Sequence, residues 1–235
     1  MNNQLFLPNN DYSGSLDAIS IGNTQSFINT TRINAVDIGR NACDSSQSSN
    51  AVAIGYNAGN SNQSSDAVAI GHDAGASNQA IHALAIGNNA GVSNQSDRAV
   101  AIGLSAGNSN QSSNAVAIGV TAGFTNQSSN AIAIGYSAGA SNQGEYSIAI
   151  GHNSARDRQP SRSIAINARQ TPLDVSKEDS FYVKPIAMSQ DTNGLFPLMY
   201  NPATGEITYA QMSSQTTSGG YRLCVPPEPF KPSIY

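Results

Sequence analysis

The sequence predicts an all-β fold, a solenoid of parallel strands, on three observations. The phrase Ala-x-x-Ile-Gly recurs ten times, closing at Gly22, Gly39, Gly55, Gly71, Gly87, Gly103, Gly119, Gly135, Gly151 and, degenerate, Asn167, with Ser in place of Ala in the last two copies. The first interval is seventeen residues and each later one is sixteen. Within a phrase such as Ala51-Val52-Ala53-Ile54-Gly55, side-chain size alternates with period two, the period of a strand. Polar residues recur at the same interval: Asn62, Asn78, Asn94, Asn110, Asn126 and Asn142, each followed by Gln. A unit this short cannot bury an apolar face alone and must stack on its neighbours.

The elements follow in order. Residues 1–17 form a polar N-terminal arm with one apolar knot, Leu5-Phe6-Leu7-Pro8. Residues 18–170 form about ten coils. In each coil Val52 and Ile54, with their equivalents from Val36 and Ile38 to Ile148 and Ile150, are expected to fill the interior. Tyr56-Asn57-Ala58-Gly59 is expected as a second short strand, with residues 60–66 as an outer polar turn. Residues after each glycine vary freely (Tyr56, His72, Asn88, Leu104, Val120, Tyr136, His152), which marks an exposed column. The Asn column and its Gln neighbours, Gln63 to Gln143, are expected to form side-chain amide ladders.

The alternate face of the first strand carries Ala51, Ala53, Ala67, Ala69, Ala83, Ala85, Ala99, Ala101, Ala115, Ala117, Ala131 and Ala133. A strand face open to water would carry polar residues. This small apolar stripe is therefore the expected surface along which copies of the chain associate.

At this point the repeat resembles a known one. Ser49-Asn50-Ala51-Val52-Ala53-Ile54-Gly55 and Ser113-Asn114-Ala115-Val116-Ala117-Ile118-Gly119 are similar to the head repeats of YadA-like trimeric autotransporter adhesins. The resemblance covers about residues 18–170. It implies a left-handed parallel β-roll and a homotrimer with the apolar strand near a threefold axis. The sixteen-residue period is longer than the commonest bacterial form. No secretory signal, transmembrane segment, heptad stalk or barrel anchor is read in the chain, so no membrane insertion is expected.

Residues 171–210 read as a short β cap or connector, with Phe181-Tyr182-Val183-Lys184 and Leu198-Met199-Tyr200 as strands and Asn201-Pro202-Ala203-Thr204-Gly205 as a turn. These phrases resemble segments that follow such repeats in fibre proteins of large DNA viruses and tailed phages. That resemblance implies a virion component, on its outer surface, with capsid partners. Residues 211–235 read as a flexible linker and a Pro-rich tail, in which Tyr221, Pro226, Pro227, Pro229, Phe230, Pro232 and Tyr235 are the expected partner-docking residues.

Charged residues make up 11% of the chain and the net charge is −4, which does not favour a nucleic-acid surface. Lys and Arg are absent from 41–97 and 99–155; the basic cluster Arg156, Arg158, Arg162 and Arg169 marks the end of the stack. Cys43 and Cys224 form no metal signature. His72, His82 and His152 form no nucleophile–base constellation, so neither catalysis nor a cofactor is expected. The two functions that remain are a virion structural protein and an adhesin head binding a host-surface or matrix ligand.

Overall fold

The computed structural model describes residues 5–6, 19–21, 33–43, 45–186, 198–201 and 203–209. The expected docking residues of the tail, 221–235, lie outside these. Contacts divide the chain into two units, Met1–Ile186 and Ala187–Tyr235.

The first unit is the parallel β-solenoid. Its first sheet has twelve strands. Leu5–Phe6 runs antiparallel to Ile19–Ile21, and every later neighbour is parallel, from Val36–Ile38 through Ile164–Asn167 to Phe181–Lys184. The register advances by one coil at a time, as in Val100↔Val116 and Ile102↔Ile118. The second sheet has seven strands, from Ser45–Gln47 to Ser141–Gln143, each one coil from the next. The second strand of a coil is thus Ser61–Gln63 rather than the expected 56–59. The reason is local: Asn57 and Gly59 have φ of 52° and 53°, a left-handed backbone that makes Tyr56–Gly59 a corner.

The interior corrects a second expectation. Ala53, its equivalents Ala69 to Ala165, and the corner residues Ala58 to Ala138 are completely buried. They form one continuous column-built core. Val52 and Ile54, expected inside, are only half-buried and lie on the outer face of the same strands. Sixteen residues folded around two three-residue strands enclose space for methyl groups and little else. A Cβ placed on Gly91 (φ +54°) would stand 2.7 Å from Gln95 Oε1. One placed on Gly87 (φ +129°) would stand 2.6 Å from the Gly103 carbonyl of the next coil.

In the coils that follow Asp37, the one large side chain admitted is a glutamine, and from Gln63 onward it is fully satisfied. Gln95 Nε2 donates to Leu84 O at 2.8 Å, Ala99 O at 3.1 Å and Gln111 Oε1 at 3.2 Å. Its Oε1 accepts from Gln79 Nε2 at 3.2 Å. The same pattern runs from Gln63 to Gln143; at the ends of the ladder Gln47 Oε1 is buried without a partner, and Gln159 Nε2 donates to Ile148 O and Ser163 O. A buried amide would otherwise leave its own donors and acceptor unpaired.

At the C-terminal end larger groups close the core. Leu173 and Val175 are buried there, and Tyr182 packs against the alanine column. Tyr182 is in register with Ala165, so an aromatic enters the inward column only where no further coil follows. Arg162 fastens this last turn: its Nη2 donates to Glu178 Oε2 at 2.7 Å and its Nε to Asp179 Oδ1 at 2.7 Å. The segment expected as a single connector, 171–210, therefore contributes its first part to the solenoid. In the second unit, Leu198–Tyr200 and Ile207–Tyr209 form the expected hairpin, with Gly205 N donating to Asn201 O at 2.8 Å.

Replacing Gln95 by Ala should cost about 3 kcal/mol, because it leaves the buried Gln111 Oε1 without its donor and breaks the ladder. The expected outcome is a lower urea midpoint with an unchanged folded spectrum by circular dichroism. A midpoint equal to that of the wild type would contradict the role assigned to the ladder.

Candidate assembly surface

The pleat that buries Ala101 turns Val100 and Ile102 outward, and identical strands stack in register. Two apolar columns result on the outer face of the first sheet. One runs from Ile19 through Val52, Val100 and Ile148 to Phe181; the other runs from Ile21 through Ile54, Ile102 and Ile150 to Val183. Eleven parallel strands at a spacing of about 4.8 Å make this stripe roughly 50 Å long. Ile134, Ile150 and Ile166 are each 37% exposed and Phe181 is 54% exposed. An exposed apolar strip of this extent marks an interaction surface.

The alanines expected at the chain–chain interface are not on it. Ala51, Ala53, Ala67, Ala69, Ala83, Ala85, Ala99, Ala101, Ala115, Ala117, Ala131 and Ala133 are each at most 1% exposed in a single chain. They are already covered by their own coil, so no second chain can reach them. The physical reason is volume: the coil is too thin for two branched side chains, so the large residues go out and the methyls go in. The signal was present in the sequence, since a corner residue, Ala58, and a glycine, Gly59, recur beside the strand and leave no room opposite Ile54.

The remaining polar side chains are distributed as follows. The post-glycine column is exposed, as expected, and carries two stacked pairs, Tyr56–His72 at 5.1 Å and Tyr136–His152 at 5.2 Å between ring centroids. His72 Nδ1 lies 2.8 Å from Asp73, and His82 Nε2 lies 3.9 Å from Asp66. Among the described residues no three His, Cys, Asp or Glu side chains group in a way that could hold a metal ion. Also among the described residues, no helix is long and apolar enough to cross a membrane. Cys43 is buried in an early coil.

Of the basic cluster, Arg162 serves the cap, while Arg156, Arg158 and Arg169 are exposed. Its hydrogen bond holds the Asp179 carboxyl below the usual aspartate range. A depressed carboxylate stabilises the fold above its unfolded pKa and loses that effect as pH falls through the folded one. Asp179 is fully exposed, so screening keeps the contribution small.

No family model, no curated protein and no solved structure matches the chain.

The two faces of one strand give a direct contrast. Ile102→Lys should leave the solenoid's circular dichroism intact and abolish association, because the charge sits on the outer face. Ala101→Glu should abolish the folded signal itself, since it forces a carboxylate into a methyl-sized space. Loss of folding in the first variant together with normal folding in the second would overturn the assignment of faces.

Proposed function

We propose that this chain is a non-enzymatic structural protein of a virion, a fibre, spike or minor capsid-associated component, assembled as a homotrimer through its Val/Ile face. The observation that carries the reading is the unbroken apolar stripe on a repetitive rod. A thin coil lined with methyl groups gains about 0.8 kcal/mol per buried carbon, whereas burying a Val or Ile fully is worth about 1.5–3 kcal/mol. Val52 and Ile54 are half-buried in the single chain, so roughly half of that gain per residue remains on the outer face for another chain to collect. Three copies around an axis bring three such stripes together, which is the arrangement implied by the resemblance to YadA-like heads.

Two non-repeating segments flank the repeats in sequence. Coils between Ala51 and Gln143 are nearly uniform, so they supply length and display, and attachment specificity falls to 1–17 and 171–235. Tyr221, Pro226, Pro227, Pro229, Phe230, Pro232 and Tyr235 are the residues this reading assigns to contact with a capsid neighbour. A second reading, an adhesin head contacting a host-surface or matrix ligand, is favoured by the exposed, variable column from Tyr56 to His152.

Deleting 221–235 should leave a folded, assembled rod by circular dichroism and mass, and incorporation into the parent particle should fall at least tenfold. Normal incorporation of the truncated chain would remove the docking role of the tail. Absence of the intact chain from purified particles would remove the virion reading in favour of the adhesin one.

A further inference from the structure

The second sheet carries an exposed column of asparagines that neither backbone geometry nor burial requires. Asn62, Asn78, Asn94, Asn110, Asn126 and Asn142 are all exposed. All have a left-handed backbone, with φ between 53° and 56°. Asparagine tolerates that conformation well. Two other columns of the same coil have the same backbone, however, and they vary. One holds Asn57, Asp73, Asn89, Ser105, Thr121 and Ser137; the other holds Asn50, Asp66, His82, Arg98, Asn114, Asn130 and Tyr146. Exposed columns without the left-handed backbone vary as well, as after each glycine. Over six successive coils, between Ser46 and Arg158 of the same column, the asparagine is kept where these neighbouring columns vary.

The asparagines hydrogen-bond to one another along the stack. Asn78 Nδ2 donates to Asn94 Oδ1 at 3.1 Å, Asn94 to Asn110 at 3.0 Å and Asn110 to Asn126 at 2.9 Å. A primary amide has two N–H donors and two acceptor lone pairs. The ladder uses one of each, and leaves one donor and one acceptor per coil facing water, with the side chain already fixed. The row repeats at the strand spacing, about 4.8 Å, with no charge along it until Arg158.

We infer that the column Asn62–Asn142 is a binding face for a neutral, extended, β-1,4-linked polysaccharide lying parallel to the solenoid axis. Such a chain advances by nearly one coil per sugar; because alternate sugars are turned over, it presents the same hydroxyl or acetamido group to every second donor–acceptor pair and a different hydroxyl to the pair between. A peptide strand advances about 3.3 Å per residue and falls out of step. A nucleic acid or anionic glycan finds no cation row to neutralise it. The face lies on the second sheet and the apolar stripe on the first, so occupancy of one leaves the other free. The inference uses the flank of one chain and holds for a virion fibre or an adhesin head alike.

The test is co-sedimentation of the intact protein with microcrystalline cellulose and with chitin, at low and high salt. A triple variant, Asn94→Ser, Asn110→Ser and Asn126→Ser, serves as control. Serine already occupies this column at Ser46 with φ 61°, so the substitutions suit the backbone. The expected result is salt-insensitive retention on at least one polymer, at least tenfold weaker retention of the variant, and unchanged circular dichroism and mass. Soluble β-1,4-linked hexasaccharides should displace the wild type, a readout that needs no variant. No retention on either polymer, equal retention of a folded variant, failure of the oligosaccharide to compete, or retention lost in salt would each overturn the inference.

Discussion

Everything in this rod depends on how little space sixteen residues enclose. Two three-residue strands joined by tight corners leave an interior of methyl width, into which one glutamine per coil fits because it hydrogen-bonds along the stack. That limit explains the alanine columns at Ala53 and Ala58, and the glycine at Gly59, where a Cβ would meet Gln63 Oε1 at 2.6 Å. It also explains why the largest apolar side chains of the repeat, Val52 and Ile54, stand outside. In an ordinary sheet the bulky face is the core face. Here the bulky face is not enclosed by its own coil: a core of methyls and amides holds the coil in shape, and the branched residues stand half-buried on the outer face.

The same constraint governs the ends. A stack of identical coils has open edges that invite further pairing. At the N-terminal edge of the first sheet, Leu5–Phe6 crosses in the antiparallel sense, which cannot continue the parallel register. At the other end, Leu173, Val175 and Tyr182 fill space that inner coils reserve for methyls, and the Arg162 contacts with Glu178 and Asp179 hold that turn against the stack. Bulk is thus excluded from the middle of the rod and required at its end.

Much of this was legible in the sequence. The coil length, the parallel stacking, the exposed column after each glycine and the hairpin around Asn201–Gly205 follow from spacing and residue type. What did not follow was the direction of the pleat. Alternation in Val52-Ala53-Ile54 identifies two faces and says nothing about which one turns inward. The habit of placing large residues inside assigned it wrongly, and with it the alanine interface. The second strand was misplaced for a related reason: Ser61-Asn62-Gln63 is polar, and a strand whose only inward residue is a hydrogen-bonded glutamine carries no hydrophobic signal. The asparagine and glutamine columns looked alike as letters, and only burial separates the structural ladder from the exposed one.

The central claim is that the outer Val/Ile stripe is the surface on which identical chains meet. Sedimentation equilibrium of the intact protein at micromolar concentration tests it most directly. The account predicts a single folded species of three times the 24.3 kDa chain mass. A folded, monodisperse species at 24.3 kDa, with the stripe left in water, would contradict it.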